Sequence, residues 1–84
     1  MNLRHLETLL AIAETGSFAA AADRVGVTQS AVSMQMRALE EVLGASLFDR
    51  ARRPPALNDL GRGLLPLARD VVRAAEDLTA ARTT

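Results

Sequence analysis

The sequence predicts a mainly α fold: a winged helix-turn-helix with a three-helix core and a short two-stranded wing, followed by one long helix. Three observations carry this expectation. Apolar residues make up 49% of the 84 residues, yet Ala and Leu dominate and the aromatics are confined to Phe18 and Phe48, a balance suited to packed helices. Runs with helical periodicity repeatedly open on Ser, Thr or Asn and close on Gly. Two of these helices meet around Gly26 through a connection too short for an antiparallel return, so they must cross steeply.

Taken in order, residues 2–14 carry Leu3, Leu6, Leu10 and Ala13 at the i, i+3, i+4 recurrence of an amphipathic helix, which Thr15-Gly16 ends. Ser17 is a good N-cap for a second helix, FAAAADRV, with Phe18, Ala21, Ala22 and Val25 on one side and Gly26 as its stop. Thr28 caps a third helix that runs without Gly or Pro to Leu43, before Gly44. A small Ala22 before the turn, Gly26 in it and a branched Val32 after it suit two helix backbones that approach closely and lock. The stretch SLFDRARRPPALN then has short apolar pieces flanking an Arg-Pro tip, which suggests a two-stranded ribbon. Asn58 caps the last helix, where Leu60, Leu64, Leu67, Val71, Ala74, Leu78 and Ala81 alternate in steps of four and three, a heptad seam. Pro66 lies well past its first turn, removes one hydrogen bond and predicts a bend near residues 62–66. The expected division is 1–58 for the winged helix-turn-helix and 59–84 for the linker helix that forms a dimer seam.

Composition excludes several functions. There is no cysteine, so no disulfide framework, thiolate nucleophile or Cys-based metal site, and His5 alone cannot build a metal centre. No nucleophile with a base, no paired acids and no ligand cluster can be assembled, so an enzyme is not expected, nor is any cofactor or metal. Gly61 and Gly63 form GxG without the surrounding phosphate-loop pattern, and no small-molecule site is expected in this segment. Neither a signal segment nor a long apolar span is present, so a cytoplasmic location without membrane insertion is expected.

Ten Arg balance ten acids. The charges are nevertheless uneven: residues 1–46 hold three Arg against five acids and sum to −2, while residues 47–63 hold four Arg against two Asp and sum to +2. The exclusive use of Arg suits bidentate contacts to phosphate or guanine, and equally fits codon bias in a GC-rich genome.

Around the third helix, Val32, Met36, Leu39 and Leu43 share one side with Ala31 and Val42 beside them, which makes this the expected buried face. Roughly opposite lie Ser30, Ser33, Met34, Arg37 and Glu41, with Gln29 on the flank. Small hydroxyls, an amide and one Arg can reach base edges in a major groove; Gln pairs bidentately with adenine, Arg suits phosphate or guanine, and the Met34 thioether can pack on a thymine methyl. The alternative is a solvated exterior with one exposed methionine. Gln35 points nearer the buried side and is expected to make a structural hydrogen bond. At the ribbon tip, Arg52-Arg53-Pro54-Pro55 combines two cations with a stiff backbone, which suits a narrow minor groove, although an Arg pair can also simply guard an edge strand. Arg4, Ser17 and Arg50 are further phosphate candidates, and the arginines have the alternative of pairing with an acid. The heptad seam is too long for this core to cover; a second copy of the chain is the simplest partner, with packing against the first helix of its own chain as the alternative.

The run NLRHLETLLAIAETGSFAAAADRVGVTQSAVSMQMRALEEVLGASLFDR, continued by LNDLGRGLLPLA, resembles the amino-terminal DNA-binding domain of LysR-type transcriptional regulators over essentially the whole chain. The resemblance implies that the helix from Thr28 enters the major groove, with Thr28, Gln29, Ser30, Ser33, Met34 and Arg37 towards DNA, and that Arg52 and Arg53 at the wing enter the adjacent minor groove. Relatives of this kind carry an effector-binding domain after the linker helix. Two positions depart from the family pattern: a basic or larger polar residue often stands where this chain has Met34, and Thr where it has Asn58. The expected function is a sequence-specific double-stranded-DNA-binding module of a bacterial regulator, acting as a homodimer on an imperfect inverted repeat. The alternative is a winged-helix assembly domain that touches no DNA, for which zero net charge is the main argument.

Overall fold

The computed structural model describes residues 1–82. Helix α1 spans Leu3–Thr15, α2 Phe18–Val25 and α3 Gln29–Leu43; strands β1 (Phe48–Asp49) and β2 (Ala56–Leu57) follow, then α4 (Asp59–Arg82). Each of the first three helices opens on a side-chain cap and closes on a left-handed glycine: Asn2, Ser17 and Thr28 accept from Arg4 N, Ala20 N and Ala31 N, and Gly16, Gly26 and Gly44 follow the last turns with φ of 85°, 76° and 68°. Those positive φ values are strained for any residue with a Cβ, which is why glycine stands there.

The core gathers Leu6, Leu9 and Ile12 from α1, Phe18, Ala21 and Ala22 from α2, Val32, Met36 and Leu39 from α3, Leu47 and Phe48 at the wing base, and Ala68 from α4. Ala22 and Val32, expected to pack at the helix-turn-helix crossing, are both buried. The two aromatics meet edge to face, Phe18 and Phe48 with centroids 5.2 Å apart, and so join the start of α2 to the first wing strand. Between α1 and α3, the buried Thr8 Oγ1 lies 3.0 Å from Arg4 O and 2.5 Å from Gln35 Oε1, the structural bond expected of Gln35. One hydroxyl proton serves one acceptor, and an amide turned to present its NH2 satisfies both contacts.

Two burial expectations are corrected. The stripe that α1 buries is Leu6, Leu9 and Ile12 with Thr8 and Ala11, while Leu3 is exposed and Leu10 and Ala13 only half-buried. Here α2, α3 and α4 all pack on α1, so the covered arc is broad and its centre is set by the neighbours. On α3, Val32, Met36 and Leu39 are buried, but Val42 is 60% exposed and Leu43 39%, Leu43 on the rim of an apolar groove that it shares with Leu6, Leu9, Leu64, Leu67 and Val71.

The wing is an antiparallel pair with Phe48 opposite Leu57 and Asp49 opposite Ala56, only two residues per strand. Its short ladder is reinforced from outside. Asn58 N donates to Leu47 O (2.9 Å), Asn58 Nδ2 donates to Ser46 O (2.9 Å), and Asn58 Oδ1 accepts from Gly61 N (2.8 Å), so one residue closes the wing and caps α4. Arg62 donates to Leu57 O (2.7 Å) and pairs with Asp59. Helix α4 is unbroken through Pro66. Its face towards the core carries Gly61, Leu64, Leu65, Ala68 and Val72, which answers part of the alternative of packing on its own chain. Of the seam positions, Leu64 therefore packs inward, whereas Leu60, Leu67, Val71, Ala74, Leu78 and Ala81 are exposed on the adjoining stripe. The end of the expected 59–84 linker, Thr83 and Thr84, lies outside the described residues. Among the described residues, no helix is long and apolar enough to cross a membrane.

Candidate nucleic-acid interface

With Val32, Met36 and Leu39 pressed against α1 and α2, the 3.6-residue period turns the opposite side of α3 outward. Thr28, Gln29, Ser30, Met34, Arg37 and Glu41 are exposed there, Met34 by 70%, and Ser33 is half-buried. No other element of the described chain covers this side. Thr28 Oγ1 accepts from Ala31 N (3.1 Å) and Ser17 Oγ from Ala20 N (3.0 Å), so both hydroxyls keep their proton for an outside acceptor.

The arginines sort into two groups. Arg24 pairs with Glu14 (2.9 Å), Arg50 with Glu40 (2.6 Å) and Arg62 with Asp59. Among the described residues, Arg37 on α3, Arg52 and Arg53 on the wing tip, Arg4 beside the α1 cap, and Arg69, Arg73 and Arg82 on α4 make no ion pair. Zero net charge thus coexists with guanidiniums on α3 and the tip that make no ion pair, which weakens the main argument for an assembly domain. Arg50, a phosphate candidate by sequence, is held by Glu40 and stands over the Phe48 ring, 5.9 Å from its centroid. Between the tip and the end of α1 runs an open groove of about 480 Å³ lined by Ile12, Gly16 and residues 52–57.

Periodicity missed Glu40, which lies on the flank of α3 between the covered and bare sides. Its carboxylate accepts from Leu47 N (2.8 Å), Ser46 Oγ (3.2 Å) and Arg50 Nη2 (2.6 Å). Partial burial pushes its pKa up, but the Leu47 N–H, the Arg50 guanidinium and the Ser46 hydroxyl outweigh that, and the net result lies below the ordinary carboxylate value. Since the folded pKa is the lower one, the ionised group stabilises the fold at neutral pH, and that contribution fades as pH falls from the ordinary range through the depressed value. Thermal melts of wild type and Glu40→Gln from about pH 6 to about pH 3 are expected to converge on acidification. A stability gap independent of pH contradicts this assignment. Gly61 was also missed as a packing residue; its place inside a capped helix, where glycine is costly, was the available signal.

The family model described as bacterial regulatory helix-turn-helix protein, lysR family, matches residues 3–62. The chain belongs to the LysR family. It is 46% identical over 77 residues to an uncharacterized HTH-type transcriptional regulator in the ibpB-leuC intergenic region of Azotobacter vinelandii, across 92% of this chain and 54% of that protein. The LysR-family chain is also 46% identical over 72 residues to the HTH-type transcriptional regulator MetR of Haemophilus influenzae, across 86% of its own length and 23% of MetR. It therefore spans about half of one curated relative and about a quarter of the other. Among solved structures, the CbnR DBD–DNA complex superposes with TM-score 0.85 at 37% identity, each chain covering 100% of the other. Vibrio fischeri DarR in complex with DNA matches with TM-score 0.91 at 32% identity over 99% of this LysR-family chain and 28% of DarR. Four helices and a two-stranded wing are thus the architecture of LysR-family DNA-binding domains, as the sequence led us to expect.

Proposed function

We propose that this chain is the sequence-specific DNA-binding module of a LysR-type transcriptional regulator, working in the bacterial cytoplasm as a homodimer on an imperfect inverted repeat. The observation that carries the reading is the bare side of α3, whose hydroxyls, amide and unpaired Arg37 stand clear of the fold beside a tip bearing two unpaired arginines. Solved relatives of the same architecture are complexes with DNA, and the curated relatives are regulators, which supports a reader of DNA over an enzyme. In this reading α3 lies in the major groove, where Thr28, Gln29, Ser30, Ser33, Met34 and Arg37 choose the sequence. Arg52 and Arg53 enter the neighbouring minor groove, and Arg4 and Ser17 touch phosphates. Arg50 serves the wing base instead, because its guanidinium is already engaged. Residues 1–58 carry the DNA contacts, while 59–84 carry the dimer seam through the exposed stripe of α4, with Leu64 shared by the core.

Binding of the whole chain to labelled duplexes, first selected from a random library, tests this across a salt series. Four unpaired guanidiniums per protomer, Arg4, Arg37, Arg52 and Arg53, predict for a dimer a slope of log affinity against log salt on the order of −7. The selected sites are expected to be inverted repeats with half-site centres a whole number of helical turns apart. Absence of any selected duplex at low salt rejects the function.

A further inference from the structure

Glu40 is on the flank of the recognition helix, between its covered side and the side assigned to DNA, and everything its side chain binds belongs to the start of the wing. Its carboxylate takes Leu47 N, Ser46 Oγ and Arg50 Nη2, while its main-chain carbonyl accepts from Gly44 N (2.8 Å) and Ala45 N (3.2 Å). One residue therefore sets both where α3 ends and where β1 begins. Its side chain is only 13% exposed, against 41% for Arg50. Asn58 grips the same strand entry from the other side through Leu47 O and Ser46 O. The wing is thus tied down at its base, whereas Arg52 and Arg53 at its tip make no ion pair. A two-residue ladder cannot by itself hold a tip in direction, so the base decides where the tip points.

We propose that Glu40 is a positioning residue that fixes the wing tip relative to α3, so that contacts in the two grooves are made by one rigid unit. This rests on the DNA-binding reading above. The chemistry explains why a carboxylate stands there. It can accept from several donors at once and, once ionised, holds Arg50 beside the Phe48 ring; that ring in turn abuts Phe18 at the start of α2. An amide offers one oxygen and turns its NH2 towards a donor, so it can keep the Leu47 bond or the Arg50 bond but not the set. With Arg50 compensating it, the Glu40 charge also ceases to repel nearby phosphates.

The test is a double-mutant cycle on the whole chain with a duplex selected as above. In the wild-type background, Arg52→Ala with Arg53→Ala is expected to weaken binding about tenfold. In Glu40→Ala and Glu40→Gln the same pair is expected to cost less than about twofold, because a tip no longer held at the groove has little to lose. A tenfold cost in every background overturns the proposal, since a residue that merely adds stability leaves the tip's contribution intact. Should Glu40→Ala fail to fold, Glu40→Gln carries the comparison. A second readout needs no DNA: amide exchange at Leu47 is expected to rise in Glu40→Ala and backbone relaxation at residues 50–55 in both variants, while the Leu9 and Val32 amides stay protected. Unchanged order at the tip overturns the proposal as well. If the wild type binds no duplex at any salt, the DNA-binding reading fails, and the relaxation measurement alone decides whether Glu40 positions the wing.

Discussion

Ser30→Phe is expected to lower affinity for a selected duplex by at least about 100-fold, roughly 2.7 kcal/mol, while leaving the melting temperature near that of wild type. Ser30 is exposed in the first turn of α3 on the side facing away from Val32 and Met36, so in the free chain an added ring meets only solvent. Helix propensities of Ser and Phe are close, and the Thr28 cap is untouched. In a major groove the same ring would have to occupy the space of base edges, and the small hydroxyl is what permits close approach. Ser33 is the less clean position, because it is half-buried and a large residue there disturbs folding and binding together. Melts and titrations on the same sample separate the two effects. Wild-type affinity and unaltered sequence preference in Ser30→Phe place the DNA contacts elsewhere than this side of α3.

Gly61→Ala is expected to destabilise the fold by about 2 kcal/mol, a large share of the stability of so small a domain. A Cβ at this position would overlap the Leu47 carbonyl oxygen and stand 2.8 Å from Leu57 Cδ2. The first of these is backbone at the wing base and cannot swing aside as a side-chain tip can. Helix propensity works the other way, by up to about 1 kcal/mol, so the sign of the result reports which effect wins. Gly63 is the control: it sits in the same helix, nothing lies near its absent Cβ, and Gly63→Ala is expected to stabilise by up to about 1 kcal/mol. Urea melts of the two variants should move in opposite directions. A Gly61→Ala chain at least as stable as wild type would show that the wing base yields easily, and would weaken the case for a rigid wing.

Local signals in the chain were read most faithfully. The caps Ser17, Thr28 and Asn58 and the stops Gly16, Gly26 and Gly44 mark element ends because each acts on backbone groups only a few residues away. The bare side of α3 was legible for the same reason: once Val32, Met36 and Leu39 face inward, the helical period places Ser30 and Arg37 outside. Where the reading slipped, the deciding partner lay far along the chain. The stripe buried by α1 shifted to Leu9 and Ile12 because three other helices share that surface, and Val42 and Leu43 are exposed at the edge of the face that α3 buries.

Amino-acid order by itself thus determined the helices, their ends and which side of α3 is left bare. Tertiary structure alone decided that Glu40 and Asn58 tie down the wing, that Arg50 belongs to the fold while Arg52 and Arg53 stay uncompensated, that Gly61 is a contact surface, and that Leu64 turns inward while Leu67, Val71 and Leu78 stay outside. The physical reason is range. Capping and periodicity act within one or two helical turns, whereas an ion pair, a close backbone approach or a shared helix face depends on segments that only the folded chain brings together.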